Sequence, residues 1–152
     1  MIVMNKKLLM TMLAGMLSVP AFALNKSERS NLIEKLVRVE SSGKANIIGD
    51  HGKAFGILQI HAEMVTDANR ISHDRTYTHR DMFDPKKARE VAEIVLAHYD
   101  SHIEKQTGIS ASEKQLAFIW NGGGSSWKRC KNPLKDTKQI NLEKYWSKVS
   151  SK

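Results

Sequence analysis

A single cysteine, Cys130, stands in 152 residues, so no disulfide can close within the chain and stability has to come from a packed core. A lone thiol could pair with another chain or be incidental. Its run, Lys128-Arg129-Cys130-Lys131, could lower its pKa, but no histidine is adjacent in sequence and no catalytic role is assigned to it. Internal repeats, heptad arrays and low-complexity linkers are also missing, as are a phosphate loop, a dinucleotide fingerprint and the glycines of a nucleophile elbow. The sequence therefore carries no signal for a solenoid, a coiled coil, a nucleotide-binding loop or an elbow-type serine hydrolase.

The one strongly apolar run lies at the start. Lys6 and Lys7 precede an apolar stretch over residues 8–19, and Ala21-Phe22-Ala23 fits the small-x-small rule for signal cleavage. The stretch is short for a bilayer span, and polar Asn25, Lys26 and Ser27 follow at once; an uncleaved anchor is the alternative. Residues 1–23 are thus expected to be a signal peptide and residues 24–152 one domain, exported to the periplasm or secreted. No second hydrophobic span follows, so no integral membrane segment is expected after signal removal, and a monomer is expected. Removing Lys6 and Lys7, with no acidic residue before Ala23, lowers the formal charge from +8 to +6. A basic exported protein could meet nucleic acid, anionic lipid or an acidic wall polymer, or could simply have a solvated basic surface.

The rest reads as helices separated by glycine- and charge-rich loops. Asn25 and Glu28 have capping-box spacing, Leu32, Ile33, Leu36 and Val37 recur at helical intervals, and Gly43 is a stop, which predicts a helix over 27–41. Residues 44–61 carry Gly49, Gly52 and Gly56 and read as a loop with short strands, 55–60 being extended. A short helix over 62–69 and a polar surface loop over 71–83 follow. Asp84 and Pro85 open a helix with a buried stripe of Ala88, Val91, Ala92, Val95, Leu96, Tyr99 and Ile103, ending before Gly108. Ser110 and Glu113 form another capping box for a helix through Trp120, ended by Gly122-Gly123-Gly124. Leu142, Tyr145, Trp146 and Val149 mark a last amphipathic helix. The fold class is α+β, mainly α, with a small β/loop region.

Glu40 lies four residues after Leu36 and seven after Ile33, on the same helical face as those apolar side chains. A carboxyl pressed against apolar groups has a raised pKa and can stay protonated near neutral pH, as protonation of a glycosidic oxygen requires. A helix-end glutamate leaning into solvent is the plainer reading, and periodicity alone favours it.

The neighbouring motifs change that balance. Glu40-Ser41-Ser42-Gly43 is followed by Gly49-Asp50-His51-Gly52, by Phe55-Gly56-Ile57-Leu58-Gln59-Ile60, and much later by Ala117-Phe118-Ile119-Trp120-Asn121-Gly122-Gly123. This ordered set resembles the transglycosylase SLT and goose-type lysozyme superfamily over residues 31–146. The resemblance implies a lysozyme-like domain acting on peptidoglycan glycan strands, with no metal and no cofactor. It makes Glu40 the catalytic acid and places Ser41, Gln59, Trp120, Asn121 and Gly122 at the substrate, Gln59 on a strand facing the cleft. Gly56 would let backbone and substrate approach closely. For Trp120, a sugar platform and a core residue are even alternatives. Asp50 matches an aspartate implicated in positioning water in goose-type enzymes, so it is a second catalytic candidate. His61 departs from that pattern, which has a second Asp there, and the spacing from Glu40 to Gln59 is closer to transglycosylases. Lytic transglycosylation is therefore favoured over hydrolysis. A catalytically inactive wall-binding module and a basic nucleic-acid binder are the rivals outside enzymes, and nucleic acid is not the expected partner. His98 and His102, at i and i+4, could share a metal, but Tyr99 sits where a metalloprotease would carry glutamate.

Overall fold

A computed structural model describes residues 24–131 and 137–152. The expected signal segment lies outside the described residues.

Five α-helices and one two-stranded sheet are found among the described residues. Helix α1 (Lys26–Ser41) starts at the expected capping box: the Glu28 amide donates to Asn25 Oδ1 at 3.0 Å and the Asn25 amide to Glu28 Oε2 at 2.8 Å. Leu32, Ile33, Leu36 and Val37 are its buried face. The helix ends with Ser42 in the left-handed region, one residue before the expected glycine. Strands β1 (Ile48–Gly49) and β2 (Ala54–Phe55) pair antiparallel, with Ile48 opposite Phe55 and Gly49 opposite Ala54. Helix α2 (Ala62–Ser72) runs three residues beyond its expected end. Helix α3 (Pro85–Thr107) is capped by Asp84 and ended by Gly108 at φ 73°. Helices α4 (Glu113–Gly122) and α5 (Thr137–Ser150) complete the domain, with a short helical turn, Ser126–Lys131, between them that the sequence did not announce. A continuous core joins α1, α3, α4 and α5 with the 57–60 segment.

Three expectations need correction. Residues 55–60 are not one extended strand: after β2 the chain turns through Gly56 to Gln59, and Ile60 returns to bridge Phe55. Residues 71–83 are not merely a polar surface loop, because Tyr77 and Met82 are buried and His79 stacks on Phe55 with ring centroids 3.8 Å apart. The cap of α4 is Ser112 with Gln115, not Ser110 with Glu113. The Ala111 amide donates to buried Asp100 Oδ1 of α3 at 2.9 Å, which holds residue 111 outside the helix.

Candidate active site

A cleft of about 610 Å³ opens where the end of α1, the β1–β2 turn, α2, α3 and the end of α4 meet. It gathers four of the expected residues with Glu40: Asp50, Gln59, Trp120 and Asn121 all line it. Ala54, Val95 and Ile119 supply apolar wall. Burial among these groups raises the Glu40 pKa above its ordinary 4.5. Hydrogen bonds from Tyr145 and Trp120, then the positive charges of His61 and Lys148, work in the opposite direction and do not cancel it.

The Tyr145 partnership was not read from the sequence. Its hydroxyl donates to Glu40 Oε1 at 2.5 Å across 105 residues of chain. Burial, and then the adjacent Glu40 carboxylate, push the phenol far above its ordinary range, so it stays a donor. Apolar spacing marked Tyr145 only as a core position; no local signal tells which buried phenol meets which carboxylate. Trp120 is 8% exposed. It has too little surface for a stacking platform, and its indole N–H serves Glu40 instead.

Asp50 sits at φ 46° in the tight turn after β1, and its Oδ2 lies 3.3 Å from His61 Nε2. Glu63 and Asp67, on α2, also line the cleft. Gln59 is placed differently from expectation. It occupies a left-handed turn position at φ 48°, not a strand, and its Nε2 donates to Gly56 O at 2.8 Å. Ile47 O is a second, longer acceptor at 3.4 Å, so this amide nitrogen is engaged in bracing the turn. Its Oε1 lies against Gly49, where an added Cβ would come within 2.0 Å. Gly56 also differs from expectation. A Cβ there would stand 1.8 Å from Met82 O, so the close approach is to the protein's own backbone.

Ser41 and Gly122 are not brought to the cleft. Ser41 is buried and its Oγ donates to Ile57 O at 2.8 Å, tying the end of α1 to the turn. Gly122 packs against Ser126 and Leu142, leaving Gly123 and Gly124 as the cleft glycines. Cys130 is corrected as well: desolvation outweighs the nearby Lys114, and its thiol is pushed up to about 11 rather than lowered. Trp127, beside the basic run, is 5% exposed and cannot stack on a base. His98 and His102 have ring centroids 6.4 Å apart, and among the described residues no group of three or more His, Cys, Asp or Glu is placed to hold a metal ion. A second groove, of about 900 Å³, lies along α1 and α3, but Glu34 and Arg75 at its walls are paired with Arg89 and Glu90 there.

The family model described as Transglycosylase SLT domain matches residues 20–142. No curated protein and no solved structure matches the chain.

Proposed function

The chain belongs to the transglycosylase SLT domain family, whose members are generally lytic transglycosylases of peptidoglycan, and from that premise we propose that it cuts the β-1,4 bond between N-acetylmuramic acid and N-acetylglucosamine. Glu40 is the acid. The observation that carries this is its carboxyl, set in the cleft wall yet open to the cleft, where burial favours the protonated form over the charged one. The Tyr145 hydroxyl on Oε1 and the Trp120 indole hold the carboxyl in place while it delivers its proton to the bridging oxygen. As the C1–O bond breaks, the muramic acid's own 6-hydroxyl attacks C1, and ionised Glu40 takes the hydroxyl proton. The product is a 1,6-anhydro end. Asn121 and the Gly123–Gly124 backbone hold the glycan.

We also propose that residues 1–23 direct export and are removed after Ala23, which would deliver residues 24–152 to the periplasm or the exterior, where proteins of this family meet peptidoglycan. Among the described residues no helix is long and apolar enough to cross a membrane.

A second reading, hydrolysis with Asp50 as base, has one observation in its favour: Asp50 lines the same cleft as Glu40. Digestion of purified sacculi tests the main reading. Anhydro-muropeptides should be released, and Glu40→Gln should slow release by about 10²–10⁴-fold while remaining folded. Wild-type turnover by that variant would remove Glu40 from the mechanism.

A further inference from the structure

His61 lines the cleft and takes no part in the chemistry derived so far. It is the N-cap of α2, with extended backbone (φ −85°, ψ 157°), and its ring makes no capping hydrogen bond to that helix. The ring instead reaches Asp50, Nε2 to Oδ2, at 3.3 Å. Both side chains keep solvent access, 41% exposed for His61 and 52% for Asp50, and both line the cleft with Glu40. The turn carrying Asp50 is braced from its other side, where the Gln59 amide is seated against Gly49. The loop thus presents one carboxylate to the cleft and fixes it at two points.

We propose that His61 is a positioning residue for water: by holding Oδ2 of Asp50 it leaves Oδ1 as a proton acceptor in the cleft and gives the enzyme a second activity, hydrolysis, in competition with intramolecular attack. The proposal rests on the reading of this cleft as the glycan-cleaving site. Both routes begin with the Glu40 proton passing to the bridging oxygen as the C1–O bond breaks. In the second, a water oxygen bonds to C1 and one of its protons passes to Asp50. Glu40 ends ionised and Asp50 protonated, and solvent at the open cleft resets both. The product is a reducing end. Without a held acceptor the water attacks unassisted, and the sugar's 6-hydroxyl has the advantage of being already attached.

Mass spectrometry of muropeptides released from sacculi tests this. The wild type should yield both anhydro and reducing ends. Asp50→Asn and His61→Ala should each lower the ratio of reducing to anhydro ends by about tenfold or more, since general-base assistance is worth about 10²–10⁴-fold. His61→Gln, whose amide N–H can reach toward the place of Nε2, should recover much of the ratio. A purely structural role would depress both products together and leave the ratio alone. Products of one kind only from the wild type, or a ratio unmoved in both Asp50→Asn and His61→Ala, would overturn the proposal. Glu40→Gln should stop both products; if it stops neither, the reading of the cleft fails, which is a different failure from that of the pair.

Discussion

At Glu40, burial penalises the charged form, so the folded pKa stands above the ordinary 4.5 expected of the unfolded chain. Between those two values the native state holds a proton that the unfolded state has lost, and stability falls as pH rises through the window. Ionising this carboxyl therefore costs stability. Glu40→Gln keeps the shape and can still accept from Tyr145. It should melt above wild type at about pH 7 and lose that advantage at about pH 4, as thermal scans at both values would reveal. Activity has the matching sign: the acid is needed protonated, so turnover declines as pH rises through the folded Glu40 value. Tyr145→Phe removes a donor that favours the carboxylate, and the alkaline limb of its pH–rate profile should move to higher pH. A limb that stays put would mean the phenol does not act on the acid. Cys130 is a simpler case. With its thiol pushed up to about 11, thiolate at about pH 8 is on the order of one part in a thousand, and alkylation by iodoacetamide should be far slower than for a free thiol.

Among the elements, the 54–60 turn decides how the cleft is built. Gly56 sits at φ 73° with Met82 O where a Cβ would go, and a backbone carbonyl cannot swing aside as a side chain would. Gly56→Ala should lower unfolding free energy by about 2 kcal/mol or more, read by chemical denaturation with the slope unchanged. A neutral effect would show that the packing of 79–83 against the turn is loose. The same turn shows where sequence was legible and where it was not. The α1 and α3 caps could be read because their partners lie two or three residues away, as with Asn25 and Glu28 or Asp84 and Lys86. Residues 55–60 misled because Phe55, Ile57 and Ile60 are strongly β-forming, while the turn that ends the strand, from Gly56 at φ 73° to Gln59 at φ 48°, is held by the Gln59 side chain on Gly56 O. Ser110 and Ser112 both head capping-box patterns, and only the long-range bond from Ala111 to Asp100 chooses between them. The candidate site followed the same rule. Glu40, Asp50 and Asn121 were picked out by motifs and line the cleft, whereas the partners of two of them, Tyr145 on Glu40 and His61 beside Asp50, meet them through contacts that no local pattern encodes.

Over the whole molecule, the surroundings of the acid come from both ends of the described chain. Helix α1 supplies Glu40, and α5 returns to lay Tyr145 on it; Arg38 at the end of α1 donates to the Lys152 carbonyl at 3.0 Å. Helix α5 also buries Leu142 and Val149. Burying side chains of this size contributes about 1.5–3 kcal/mol each, so Leu142, Tyr145 and Val149 together are worth about 5–9 kcal/mol. A domain of this length has a net stability of about 5–15 kcal/mol. The two figures are of the same order, so α5 is part of the fold and not an appendage to it. Ending the chain at residue 136 should therefore give a protein that is largely unfolded at room temperature, with lost near-ultraviolet dichroism and no release from sacculi. Tyr145→Phe separates the two roles of the helix, because it keeps the ring in the core and removes only the hydroxyl on Glu40. That variant should fold with nearly the wild-type melting temperature and show the shifted alkaline limb. A truncated chain that still folds cooperatively would mean that α1, α3 and α4 bury enough apolar surface by themselves, and that α5 serves mainly to bring its phenol to the acid.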